Sequence, residues 1–295
     1  MKTYIDCIPC NIEQCINTLN ISGVSKKIKR QTVSELLNRL QHVDYNLPPA
    51  YNSDLAYQVC REITKINDPY KKLKKEYNQM ALNIYPRLKK LVEHHPYPMY
   101  MAAKVAVEGN IIDLGISVNK GKKIDFDKIL EEIESAPLAA DDFSEFSREL
   151  KKAKKILYIG DNAGEIVFDR VFIEELVKLK KNVVFSVKSG PIINDSTMED
   201  ARQAGIHHLV KVIETGSDRS GVNFNYISDE FLQAFRDSDI VISKGQANFE
   251  CLDEIDKNIY FILKAKCDLV AKRLKVNYLD VVLVKKRDQW GKKKV

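Results

Sequence analysis

Three segments concentrate residue types that do chemistry: Gly160-Asp161-Asn162-Ala163-Gly164-Glu165, Asn194-Asp195-Ser196-Thr197 and Ser243-Lys244-Gly245-Gln246-Ala247-Asn248-Phe249-Glu250. Asp161, Asn162 and Asp195 offer only oxygen donors, which suits a hard divalent cation such as Mg²⁺ or Mn²⁺. Three protein oxygens would leave coordination positions for water and a substrate phosphate. Lys188 and Lys244 would meet the remaining phosphate oxygens as point charges. Asn194, Gly245 and Asn248 stand in the same segments and are candidate phosphate-binding positions. Helices starting near Ala163 and Ser196 would add N-terminal amides and a positive dipole. A metal, lysines and helix N-termini around one anion are the equipment of phosphoryl-transfer chemistry. Each piece also has a bland reading: Asp161 as a helix N-cap, Asn194-Asp195-Ser196 as a turn and cap, Lys244-Gly245 as a tight turn.

Other phosphate and nucleotide sites fit poorly. A dinucleotide or S-adenosylmethionine site wants several glycines in its first turn and an acid at the end of the second strand for the ribose. Here Asp161-Asn162 fills the turn, and the second apolar run ends in Lys188. A P-loop needs Gly-Lys-Ser/Thr, and Lys244-Gly245 has the reverse order. An aspartyl-phosphate hydrolase usually has two aspartates two apart, and only Asp161 is present.

The elements that must hold these residues follow from periodicity. Ile156–Ile159, Val183–Val187, Leu209–Ile213, Ile240–Ile242, Ile259–Leu263 and Val281–Val284 are short apolar runs separated by stretches that can carry helices. That alternation predicts βαβ units on a mainly parallel sheet, a Rossmann-like three-layer α/β/α domain. Ligands bind such sheets beyond the carboxyl ends of the strands, where the three segments fall. Residues 11 to about 135 read as helix instead, as in Ile12, Cys15, Ile16, Leu19 and Val33, Leu36, Leu37, Leu40. The reading divides the chain into an all-helical domain, 1–150, and a Rossmann-like metal- and phosphate-binding domain with a basic tail, 151–295.

The chain has 295 residues, 44% hydrophobic and 30% charged, enough for a sizeable core and wrong for a disordered chain. The net charge of +6 comes mostly from Lys285, Lys286, Arg287, Lys292, Lys293 and Lys294, set against Asp288 alone. The remainder is near neutral, so no nucleic-acid footprint is present, and the tail reads as a frayed basic C-terminus. No apolar stretch is long enough to span a bilayer. Lys2, Asp6, Asn11 and Glu13 interrupt any signal-peptide core, so a cytoplasmic protein is expected.

Taken together, the three segments, with Pro191-Ile192-Ile193-Asn194-Asp195 completing the second, resemble the metal-dependent damage-control phosphatase family. Glu108-Gly109-Asn110-Ile111-Ile112-Asp113 is similar to that family's Gly-Asn-x-x-Asp element. Cys7-x-x-Cys10 and Asp68-Pro69-Tyr70 resemble its short stand-alone branch, typical of archaea and bacteria. The resemblance implies helices packed on a Rossmann-like domain and hydrolysis of phosphate monoesters, with Mn²⁺, Co²⁺, Ni²⁺ or Mg²⁺ as cofactor. It implies Asp161, Asn162 and Asp195 as metal ligands, Lys244 on the phosphate, and Asn110 with Asp113 approaching from the helical side. Asp113 or Glu165 would protonate the leaving alkoxide. Whether water or an aspartate such as Asp161 attacks phosphorus stays open, with water favoured because Asp161 would otherwise be ligand and nucleophile at once.

Cys7-x-x-Cys10 could belong to a zinc, iron–sulfur or redox site or be structural; it is read as preceding a helix, and its spacing matches no common finger. Cys15 and Cys60 read as small core residues, as do Cys251 and Cys267. Trp290 is either exposed or docks on a partner. The expected function is a metal-dependent phosphatase of small phosphorylated metabolites, with no nucleic-acid or membrane partner. Its rivals are an S-adenosylmethionine-dependent methyltransferase and a non-enzymatic sugar-phosphate or nucleotide sensor.

Overall fold

In the computed structural model, residues 1–109 and 126–295 are described. Among these residues seven strands form one sheet: β1 (Ala140–Asp141), β2 (Lys155–Ile159), β3 (Asn182–Val187), β4 (Lys211–Glu214), β5 (Ile240–Lys244), β6 (Ile259–Lys264) and β7 (Val281–Lys285). Their order is β1-β7-β6-β5-β2-β3-β4. Every neighbouring pair is parallel except β6 and β7. The chain runs outward from β2 through β3 to β4, then restarts at β5 and runs the other way. The switch therefore lies between β2 and β5, where Ile159 pairs with Ser243. The segments beginning at Gly160 and Lys244 leave adjacent strands side by side, at the crevice where open α/β sheets bind ligands.

Alternation along β2 sorts the two cores. Ile156 and Tyr158 face a cluster with Phe172 and Phe185, while Leu157 and Ile159 face one with Phe231, Phe249 and Phe261. On the first face lie α8 (Glu165–Lys178) and, over it, α4 (Lys71–His94) and α5 (Pro98–Glu108). Residues Met101 to Glu108 of α5 are all buried, as expected of a helix that is apolar nearly all round. α6 (Phe126–Ser135) packs against α4 and α5, and α7 (Phe143–Leu150) inserts Phe146 between Phe172 and Tyr260. The second face carries α10 (Asp229–Asp237), α11 (Gln246–Leu252) and α12 (Asp268–Leu274).

At the N-terminus, α1 (Cys7–Ile21), α2 (Lys26–Leu40) and α3 (Pro49–Thr64) enclose their own core of Cys15, Leu19, Leu36, Leu40, Val59 and Cys60. Ser25 caps α2 by accepting from the Ile28 amide, and Thr197 with Asp200 forms a capping box on α9 (Met198–Gln203). Among the described residues no helix is long and apolar enough to cross a membrane.

Several expectations change. β1 lies inside the 1–150 domain expected to be all-helical; two residues carry no periodicity to detect, and they are strand only because they pair with Val282 and Leu283. Cys7 and Cys10 do not precede a helix but form the first turn of α1. The C-terminal segment is docked: Trp290 is buried edge-on against Phe249, Lys286 Nζ donates to the Gly291 carbonyl, and the Lys293 amide donates to the Glu254 carbonyl. The tail's charges also find partners on the body, Lys285 with Glu145 and Glu149, Arg287 with Asp142 and Lys293 with Glu254.

Candidate functional site

The loop after β2 and the loop after β3 are zipped by main-chain bonds. Ala163 N donates to Asn194 O at 2.8 Å, Ser196 N to Asp161 O at 2.7 Å, and Lys188 N to Ser196 O at 2.9 Å. Asn162 and Asp195 form a bridge between the two loops, beside Ile193 in a left-handed conformation with φ 46°. A β-branched residue with positive φ is strain held in place by its surroundings. Behind Asp161 stands Gly245, φ 81° and ψ 160°, where a Cβ would lie 2.1 Å from Asp161 Oδ2. Only glycine lets the backbone of the β5 loop sit against that carboxylate.

Asp161, Asn162, Asn194 and Asp195 line a cleft of about 700 Å³. α1 also lines it, presenting Cys7, Cys10, Asn11 and Gln14, spaced i, i+3, i+4, i+7, and Cys267 joins them. Gln246, Glu250 and Lys266 also line it. The volume is that of a site for a small metabolite.

Beneath the cleft floor runs a chain of buried polar contacts. Asn162 Nδ2 donates to Asp161 Oδ2 at 3.0 Å and to Glu165 Oε2 at 3.4 Å. Glu165 Oε1 accepts from Lys244 Nζ, which also donates to Asp169 Oδ1 at 2.6 Å. Tyr158 Oη donates to that same Asp169 oxygen at 2.7 Å. Lys188 Nζ donates to the Gly221 carbonyl and lies 3.7 Å from Asp195 Oδ2.

Acids crowd this region: Glu165 and Asp169 meet Lys244 in direct contact, Asp195 lies 3.7 Å from Lys188, and the charge of Lys266 acts on Asp161. Burial raises the Asp161 carboxyl well above its ordinary range, and the Asp195 and Glu165 charges push it further. Asp195 is pushed up to about 6 by burial, with Lys188 opposing. Asp169 also reaches about 6, by burial against Lys244. Burial works against the Lys244 ammonium, but Asp169 and Glu165 outweigh it and hold its proton more firmly than usual.

Two carboxylates and an amide, all oxygen donors, converging on a cleft fit one hard divalent cation. Among the described residues no group of three or more His, Cys, Asp or Glu side chains could hold a metal. The donor set here is two carboxylates and an amide.

The structure thus brings Asp161, Asn162, Asn194 and Asp195 together on the cleft. Lys188 and Lys244 are buried behind it, 4% and 1% exposed. Asn248 staples the floor, donating to Lys244 O at 2.7 Å and Gly160 O at 3.3 Å. Both carboxylate oxygens of Glu165 accept hydrogen bonds. Asn110 and Asp113 lie outside the described residues. Cys15 and Cys60 are core residues with sulfurs 3.6 Å apart, and Cys251 is buried, whereas Cys267 is only half-buried and faces the cleft. Sequence reasoning overlooked Lys266, two residues past the end of β6, and the α1 stripe, whose helical spacing was there to be read.

Comparison with known proteins agrees with this architecture. The family described as damage-control phosphatase ARMT1-like domain matches residues 3–282. An uncharacterized protein of Methanocaldococcus jannaschii is 37% identical over 295 residues, 97% of this chain and 96% of that one. A damage-control phosphatase of Pyrococcus horikoshii is 35% identical over 280 residues, 94% of this chain and 95% of its own length. The crystal structure of a DUF89 family protein from Pyrococcus horikoshii superposes with a TM-score of 0.89 at 33% identity, covering 97% of this chain and 100% of that one.

Proposed function

Because the chain belongs to the damage-control phosphatase ARMT1-like family, we propose that it hydrolyses phosphate monoesters of small metabolites with the help of a divalent metal ion. The observation that carries this reading is the convergence of Asp161, Asn162 and Asp195 on one cleft beyond the carboxyl ends of β2 and β3, beside the β2/β5 switch. Those three residues would hold Mn²⁺, Co²⁺, Ni²⁺ or Mg²⁺. When bound, the ion supplies neutralisation of charge on the phosphoryl oxygens.

The chain's own residues do the rest. Lys266 lines the cleft, and its charge opposes the upward shift of Asp161, so it adds positive potential where a phosphate would enter. Asn194, beside Asp195, orients the phosphate. The α1 wall contacts the group esterified to it. Water adds to phosphorus, the ester P–O bond breaks, and a proton ends on the departing alkoxide. Asp113 is the proposed donor of that proton, since Glu165 already has both oxygens engaged.

The test is phosphate release from an aryl phosphate by chelator-stripped protein, with and without each metal. Metal-restored turnover is expected, and Asp161→Ala or Asp195→Ala should abolish it, a larger loss than the roughly 10–100-fold typical of a supporting residue. Absence of turnover with every metal, in a folded protein, would reject the proposal. Binding of S-adenosylmethionine or of a sugar phosphate without turnover would then favour a methyltransferase or a sensor.

A further inference from the structure

Lysine at the end of a strand beside a phosphate site invites assignment to the phosphate. Lys244 is placed otherwise. Its ammonium is 1% exposed, contributes nothing to the cleft lining, and is shared between Glu165 and Asp169. Glu165, itself 2% exposed, turns its other oxygen to Asn162. The Asn162 amide therefore faces two carboxylates with its NH₂ group, Asp161 Oδ2 and Glu165 Oε2, and both of its donor hydrogens are committed. An amide held that way points its carbonyl oxygen in the opposite direction. Tyr158 and Lys244 together hold Asp169 at the far end of the chain.

We propose that Lys244 is a positioning residue: by fixing Glu165 it fixes the amide of Asn162, so that the Asn162 oxygen, not its nitrogen, faces the cation. The proposal rests on the assignment of Asn162 as a metal ligand made above. It assigns Glu165 and Asp169 to the same task, and it removes Lys244 from the phosphate. Groups that orient a metal's ligands without touching the metal commonly cost 10–100-fold in metal affinity when removed, by the general experience of about that range. A phosphate ligand would instead show itself in substrate binding.

Mn²⁺ is titrated calorimetrically into chelator-stripped wild type, Lys244→Met and Glu165→Gln, and KM for an aryl phosphate and inhibition by inorganic phosphate are measured at saturating Mn²⁺. Glu165→Gln keeps the size of the side chain but sets its NH₂ group against that of Asn162 if its oxygen stays on Lys244. Both variants should bind Mn²⁺ roughly 10–100-fold more weakly, while KM and phosphate inhibition at saturating metal stay at the wild-type values. Unchanged Mn²⁺ affinity in Lys244→Met, with a raised KM and weaker phosphate inhibition, would overturn the proposal and return Lys244 to the phosphate. Should Lys244→Met not fold, Glu165→Gln decides alone, and wild-type Mn²⁺ affinity in that variant overturns it. A wild type that binds Mn²⁺ but turns over no phosphate ester would count against the phosphatase reading only, because the binding comparison still stands.

Discussion

The Asp161 carboxylate is shaped as much by what is missing behind it as by its neighbours. Gly245 adopts a backbone conformation essentially reserved for glycine, and a methyl group there would occupy the position of the Asp161 oxygens. Gly245→Ala should therefore cost about 1–3 kcal/mol in denaturant unfolding and displace Asp161, weakening Mn²⁺ binding as well. A variant as stable as wild type with unaltered Mn²⁺ affinity would contradict this. The proximity of Asp161, Asn162 and Asp195 was legible from sequence, because strand ends of a parallel sheet share one edge. The burial of Lys244 was not. Nothing local distinguishes a lysine aimed at a ligand from one aimed inward, and its partners Glu165 and Asp169 sit on a helix whose neighbouring residues Ile166, Val167 and Phe168 are plain core. Two acids spaced i, i+4 on a helix buried nearly all round were the available signal.

Elements from the helical half fix the site from outside the sheet. Asn78, fully buried on α4, accepts from the Gly164 amide at 2.6 Å and donates to Asp200 Oδ1 at 2.9 Å and Gln203 Oε1 at 3.0 Å. One side chain thus ties α4 to the start of α8 and to α9, the helices that follow the loops carrying Asp161 and Asp195. Asn78→Ala strands a buried amide at Gly164 and removes the donor to Asp200 Oδ1, and each unsatisfied group costs about 1–3 kcal/mol. Lower stability together with weaker Mn²⁺ binding is expected; loss of stability alone, with Mn²⁺ affinity intact, would show that α4 braces the fold but not the loops. The alternation of apolar runs and helical stretches made the sheet readable because parallel strands buried on both faces leave continuous β-branched runs. β1 and the docked tail escaped because their order comes from tertiary partners, Val282 and Leu283 for one and the Phe249–Phe261 cluster for the other.

Across the whole molecule, the seam between the N-terminal helices and the sheet holds ionisable groups that would rather be neutral. Glu250, on α11 and 7% exposed, is raised to about 7 by burial, with the hydrogen bond from Gln246 and the Met1 ammonium opposing. Asp54, on α3, is also raised to about 7 by burial, against the Ser220 amide that donates to it at 2.8 Å. In the unfolded chain Glu250 ionises near its ordinary 4.5. Between that value and about 7 the folded chain binds a proton that the unfolded chain has released, so stability falls as pH rises through this window and levels off above it. Glu250→Gln keeps the side chain's size and removes its share of the slope. At pH 5 the variant should match wild type, and at pH 8 it should be more stable by on the order of 3 kcal/mol. Urea unfolding of both proteins at the two pH values measures the difference directly. An equal gap at both would mean that Glu250 is ionised throughout and that the Met1 ammonium and Gln246 outweigh its burial. The pH dependence of the seam would then belong to Asp54, whose Asn variant, compared in the same way, would carry the slope.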